Sequence, residues 1–272
     1  MLTTGIANMS AVTRFAKSML KTFNVGITRY DKLESLQAGA MAEQRVRNDM
    51  GALLSLLGDS SPQSAQRLEH SQAQLKQDLF VLIQLNFKRN GFFVEFGATD
   101  GIGLSNTYLL EKQYGWSGIL AEPAACWHSA LARNRNAKIE TMCVWKDSTS
   151  VLTFNEAEIA EFSTIDAFSG SDGHIEQRKQ GKSYEVKTIS LNDLLLKHNA
   201  PRTIDYLSID TEGSEFEILR NFDFDKHSFR VITCEHNFTP KREQIRELLE
   251  KHGYERKLET VSQWDDWYVK VK

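Results

Sequence analysis

This chain of 272 residues has no basic excess: 33 Lys and Arg stand against 36 Asp and Glu, for a formal net charge of −3. A protein that holds nucleic acid by its phosphates needs a positive face, so the balance argues against that class. Cysteine is scarce. Cys126, Cys143 and Cys234 form no C-x-x-C pair, which leaves no zinc spacing or disulfide framework and points to free thiols in a reducing, cytoplasmic compartment. No apolar run reaches the roughly 18 residues of a membrane span. Acids are missing from the first 30 residues, which carry Arg14, Lys17, Lys21 and Arg29. There Met9, Val12, Ala16, Met19, Leu20 and Phe23 fall at helical spacing. Such a face suits packing on the protein itself, on a partner or on a second copy; a membrane-surface helix or a targeting segment is the alternative.

What remains is ordinary for a globular protein, with 41% hydrophobic and 25% charged residues. Residues 30–57 place Leu33, Leu36, Ala40, Val46, Met50, Leu53, Leu54 and Leu57 near one helical stripe, and Gly58 to Pro62 breaks it. Residues 1–65 therefore read as a helical extension and 66–272 as the main domain. Leu75 to Lys88 is amphipathic and is expected to pack on the first strand.

Phe92 to Gly101 is the most informative stretch. A buried strand runs into a glycine turn, with Glu95 ahead of Gly97, Thr99, Asp100 and Gly101. Strand, glycine turn and helix is how an α/β sheet offers backbone N–H groups to a nucleotide-like ligand. The helix is expected over Leu104 to Lys112, taking Ser105 and Asn106 with it. A dinucleotide oxidoreductase would need G-x-G-x-x-G and a Tyr-x-x-x-Lys; the third glycine is absent, and an acid beside the turn would repel a pyrophosphate. Ser117 to Pro123 forms a second strand ending in Glu122, placed to grip a ribose diol. Ile204 to Gly213 ends a further strand in Asp210, and Val231 to Asn237 ends another in Glu235 and His236. These acids should converge outside the carboxyl ends of one sheet.

The full set of expected strands is 92–96, 117–121, 139–145, 204–209 and 229–234, then a pair at 254–258 and 267–271. An insertion over about 148–190 separates the third and fourth. It holds Ser163 to Asp166 and Gly170 to Gly181, and Ser190 opens a helix with capping chemistry. A long polar stretch of this kind suits a substrate loop or lid.

Taken together, Phe93 to Gly101, Gly118 to Pro123, Ile204 to Leu219, Cys234 to Asn237 and Asp265 to Val269 resemble the FkbM family of S-adenosylmethionine-dependent methyltransferases over about residues 70–272. The resemblance implies a class I methyltransferase fold, a Rossmann-like α/β sheet that is mostly parallel with a C-terminal antiparallel hairpin. It also implies S-adenosylmethionine as methyl donor and a hydroxyl acceptor, taken here as a sugar or glycan. A catalytically silent binding module of the same fold is a further alternative. The cofactor set so implied is Glu95, Gly97, Thr99, Asp100, Gly101, Ser105, Asn106, Glu122, Pro123, Val144 and Asp210.

A sugar hydroxyl is weakly acidic, so a base or a metal ion must activate it. Asp210, Glu235 and His236 are the candidates. His236 is a base near neutral pH if unperturbed. The same three side chains are alternatively ligands of Mg²⁺ or Mn²⁺. Trp264, Trp267 and Tyr268 either stack on a sugar ring or pack the core.

Overall fold

The computed structural model describes residues 69–157, 164–165 and 181–271. The helical extension expected over residues 1–65, Asp166, and residues 170–180 lie outside the described residues.

Short, doubly buried strands build the main sheet. β1 (Phe92–Phe96), β2 (Ser117–Ala121) and β8 (Thr203–Ile209) each bury every residue after the first. β3 (Lys138–Glu140), β9 (Ser228–Glu235), β10 (Tyr254–Lys257) and β11 (Asp265–Lys270) complete seven strands in the order β10-β11-β9-β8-β1-β2-β3. β1, β2, β3, β8 and β9 run parallel; β11 is antiparallel to both β9 and β10. The five parallel strands and the terminal hairpin match the sequence expectation.

Alternation along each strand feeds two cores. Val94, Phe96, Leu207 and Ile232 pack with α4 (Leu191–Lys197), α5 (Glu215–Arg220) and α6 (Lys241–Lys251) on one face. Phe93, Leu120, Tyr206 and Val231 pack with α1 (Gln77–Gln84), α2 (Tyr108–Tyr114) and α3 (His128–Asn134) on the other. Trp267 and Tyr268 are fully buried, and Trp267 lies 4.8 Å from the Phe80 ring. Their role is core packing, each contributing roughly 1.5–3 kcal/mol by burial.

Two expected elements change. Residues 139–145 are not one strand. The Glu140 carboxylate accepts the N–H groups of Thr141 (3.1 Å) and Met142 (3.2 Å), which turns the chain out of the sheet. Lys197 and His198 hold its other oxygen at 2.7 and 3.2 Å. The chain resumes as β4 (Cys143–Trp145) in a second sheet ordered β4, β7 (Lys182–Ser190), β5 (Val151–Glu156), β6 (Thr164–Ile165). The helix expected from Leu104 starts only at Tyr108, because Leu104 has φ +60° and Ser105 to Thr107 are tied to Glu95.

The insertion is therefore built into that second sheet. β5 (Val151–Glu156) pairs antiparallel with β6 (Thr164–Ile165) and with β7 (Lys182–Ser190). Ser190 then caps α4, its Oγ accepting the Asp193 N–H at 3.1 Å. Among the described residues no helix is long and apolar enough to cross a membrane.

Candidate functional site

The carboxyl ends of β1, β2, β8 and β9 open into a cavity of about 550 Å³. Gly97 sets the entry. Its φ is +74°, and a Cβ there would sit 2.2 Å from the Asp210 carbonyl oxygen. Only glycine lets the ends of β1 and β8 approach this closely. Gly101, expected to approach a ligand, instead faces the protein: a Cβ would meet Arg135 Cγ at 2.6 Å and Leu131 Cδ1 at 2.7 Å.

Behind the turn lies a buried ion network. Arg135 donates to Glu111 (2.9 Å), to the Gly101 carbonyl (3.0 Å), to Ser105 Oγ (3.0 Å) and to Thr107 Oγ1 (2.8 Å). It also approaches Glu95 at 3.8 Å. Glu95 accepts from Ser105 Oγ, from the Asn106 N–H at 2.7 Å and from Thr107 Oγ1. Burial raises the Glu95 pKa, and Arg135 works against that shift. Glu95 thus fixes the start of α2 while one edge of it lines the cavity.

Glu122 is 4% exposed and accepts two backbone N–H groups, from Thr99 at 2.8 Å and Ala124 at 2.7 Å. Burial pushes its pKa up to about 7, despite those bonds. Across the cavity Asp210 and Glu235 face each other at the ends of β8 and β9. Burial raises Asp210 to about 6; burial and the neighbouring Asp210 carboxylate hold Glu235 well above its usual range. A pair so close shares protons rather than ionising independently.

Of the residues expected from sequence, Glu95, Gly97, Thr99, Asn106, Glu122, Pro123, Val144, Asp210 and Glu235 line this cavity. Asp100, Gly101, Ser105 and His236 do not. Asp100 Oδ1 accepts the N–H groups of Ile102 (2.8 Å) and Gly103 (2.9 Å), shaping the turn from outside. His236 turns away: its Nδ1 accepts the Phe238 N–H at 3.0 Å, and Nε2 lies 3.8 Å from Asp266. Burial pushes its pKa down to about 4.

The structure adds residues that sequence reasoning passed over. Glu212, in the turn after β8, joins Asp210 and Glu235 in a group in which one oxygen from each lies within 4.8 Å of the other two. Asp265, raised to about 8 by burial, accepts from Gln77 Nε2 at 3.0 Å on the wall. Phe154 and Ile165 reach the cavity from the second sheet, and Trp264 and Phe238 from the turns around β9 and β11. Glu212 sits inside the Ile204–Leu219 segment already singled out; its turn placement is the signal that could have found it.

An acid-lined cavity at the carboxyl ends of a sheet ordered β3-β2-β1-β8-β9-β11-β10 defines a class I methyltransferase. Residues 95–256 match the methyltransferase FkbM domain. The chain belongs to the FkbM methyltransferase family and is an S-adenosylmethionine-dependent methyltransferase. No curated protein matches it. Among solved structures it is similar to precorrin-6Y C5,15-methyltransferase from Geobacter metallireducens, at 13% identity and TM-score 0.35, over 66% of this chain and 71% of that one. It is also similar to a proposed RNA methyltransferase from Pyrococcus horikoshii, at 11% identity and TM-score 0.37, over 73% of this chain and 84% of that one.

Proposed function

We propose that the protein methylates a hydroxyl oxygen on a sugar or glycan. The charge of the cavity wall carries this reading. Among the described residues the wall presents Glu95, Glu122, Asp210, Glu212, Glu235 and Asp265, and no Lys, Arg or His. An all-acid wall favours cationic ligand groups and disfavours a pyrophosphate. Bound S-adenosylmethionine supplies an electrophilic methyl on a sulfonium, which becomes a neutral thioether as the methyl leaves.

The chain's own residues suit that partner. Val144, Phe154, Ile165 and Pro123 give the cavity apolar surface suited to a purine ring, and Glu122 gives it a carboxylate suited to a ribose diol. Gly97, Thr99 and Asn106 border the end proposed for the methionine portion. Asn106 Oδ1 is buried without a hydrogen-bond partner among the described residues, so it has an acceptor to offer an ammonium group. The acceptor oxygen gains a methyl group and must give up a proton. Asp210, raised to about 6 by burial, is suited to receive it. Trp264, Gln74 and Asn237 line the cavity, an aromatic ring and two amides of the kind suited to a sugar's apolar and hydroxylated sides.

Three free thiols, Cys143 and Cys234 buried and Cys126 exposed, support placement in a reducing cytoplasm. The acid-free N-terminal segment is assigned to contact with a partner or a second copy.

Incubation with methyl-labelled S-adenosylmethionine and a panel of glycans tests the reading. Label should appear as an O-methyl group on a sugar, identified by NMR. Label on nitrogen or carbon would contradict it. Binding without turnover on any acceptor would favour the silent module.

A further inference from the structure

Where β8 and β9 end, one oxygen each from Asp210, Glu212 and Glu235 lies within 4.8 Å of the other two. Asp210 and Glu235 follow residues paired across adjacent parallel strands, Ile209 with Cys234. Glu212 comes from the turn after β8, held by Thr164 Oγ1 on its carbonyl at 3.0 Å and by Asn237 Nδ2 on its carboxylate at 3.4 Å. All three line the cavity. Clustered acids alone are common on proteins. Here Glu235 is 7% exposed, and its Oε2 has no hydrogen-bond partner among the described residues. A second buried oxygen without a partner among the described residues, Asn106 Oδ1, belongs to a residue of the same cavity wall. No basic side chain of the wall is there to balance them. Lys241 donates to the Gly213 carbonyl beside Glu212 at 2.7 Å, and Arg242 and Arg256 pair with Asp266 at 2.8 and 3.4 Å.

We propose that Asp210, Glu212 and Glu235 hold one divalent cation, Mg²⁺ or Mn²⁺, within the cavity. The donor set is all oxygen, which suits hard cations and not zinc. It replaces His236 of the sequence expectation with Glu212, because His236 does not line the cavity and its Nδ1 accepts the Phe238 N–H at 3.0 Å. With three protein ligands the ion keeps open positions for water or an acceptor hydroxyl, whose pKa it lowers. That role in the reaction rests on the hydroxyl-methylation reading; the cation site itself does not.

Titration of the full chain with Mn²⁺, following the free ion by electron paramagnetic resonance, tests the site. The wild type should bind one ion per chain. Glu212→Gln and Glu235→Gln should each weaken binding by about tenfold or more, since affinity follows ligand charge. His236→Ala should leave Mn²⁺ affinity unchanged. Calorimetry with S-adenosylhomocysteine on Glu212→Gln, expected within about threefold of wild type, shows that the cavity is intact. No saturable Mn²⁺ binding by the wild type at millimolar concentration would overturn the proposal, whatever the variants do. So would Mn²⁺ binding that survives both glutamine substitutions. One bound Mn²⁺ with the expected losses, in a chain that methylates nitrogen and not oxygen, would uphold the site while removing the hydroxyl-methylation reading.

Discussion

Replacing Gly97 by alanine probes the joint between β1 and β8 directly. The residue sits at φ +74°, where an L side chain costs about 1–2 kcal/mol. The new Cβ would also lie 2.2 Å from the Asp210 carbonyl oxygen, so the two strand ends must separate. Backbone overpacking of this kind costs about 1–3 kcal/mol. The sum is roughly 2–5 kcal/mol of stability, and the displaced group carries Asp210 with it. Gly103→Ala is the control. Gly103 lines the same cavity, yet its Cβ would meet nothing closer than Asp100 Oδ1 at 3.7 Å, so a loss under about 0.5 kcal/mol is expected. Urea denaturation at constant m-value measures both losses, and calorimetry with S-adenosylhomocysteine measures binding. Gly97→Ala should lose affinity and Gly103→Ala should keep the fold. Equal stability of the two variants would refute the argument that the strand ends meet as described.

Arg135→Leu removes the cation facing two buried carboxylates, Glu95 and Glu111, and should cost roughly 3–5 kcal/mol in denaturation, the scale of a broken buried ion pair. Ser190→Ala removes the cap of α4 and should cost about 1 kcal/mol, with affinity for S-adenosylhomocysteine unchanged in calorimetry. Stability should also depend on pH in a defined direction. Glu122 at about 7 and Asp265 at about 8 lie above their ordinary values of 4.5 and 3.8, so the folded state binds extra protons between those limits. Their contribution is complete below about pH 4 and is lost as pH rises to 8, each group losing up to about 1.4 kcal/mol for every pH step of one. His236, lowered to about 4, acts oppositely and loses its contribution as pH falls from 6.5. Scanning calorimetry of the ligand-free protein should show a melting temperature that falls from pH 6.5 to 8; a rise would contradict the buried acids.

Much of the frame was readable because parallel strands buried on both faces appear as short, mostly apolar runs. Phe92–Phe96, Ser117–Ala121 and Thr203–Ile209 are such runs, and each ends in an acid or a glycine that marks the crevice side. Residues 139–145 misled for the same reason: they are apolar enough for one strand, and the break comes from the Glu140 carboxylate folding back onto the Thr141 and Met142 N–H groups, with Lys197 and His198 holding its other oxygen from afar. Arg135 was silent because a lone arginine after a helix reads as surface; only the fold shows it 4% exposed under the glycine turn. His236 looked like a base by residue type and strand-end position. Its ring direction depends on Phe238 and Asp266, which no local pattern reveals. Glu212 sat in a segment already singled out, but its closeness to Glu235 is a contact between two strand ends.

The acid-lined cavity is proposed to hold the adenosyl ligand with Glu122 on its ribose. Calorimetry of S-adenosylhomocysteine with wild type and Glu122→Gln tests it. The variant keeps one acceptor oxygen and replaces the other with a donor that faces a backbone N–H, at Thr99 or Ala124. One bound ligand per wild-type chain is expected, weakened in the variant by about 1–3 kcal/mol, roughly 5- to 150-fold. Equal affinity in a folded variant would remove Glu122 from the site, and tight NAD binding in place of S-adenosylhomocysteine would contradict the account as a whole.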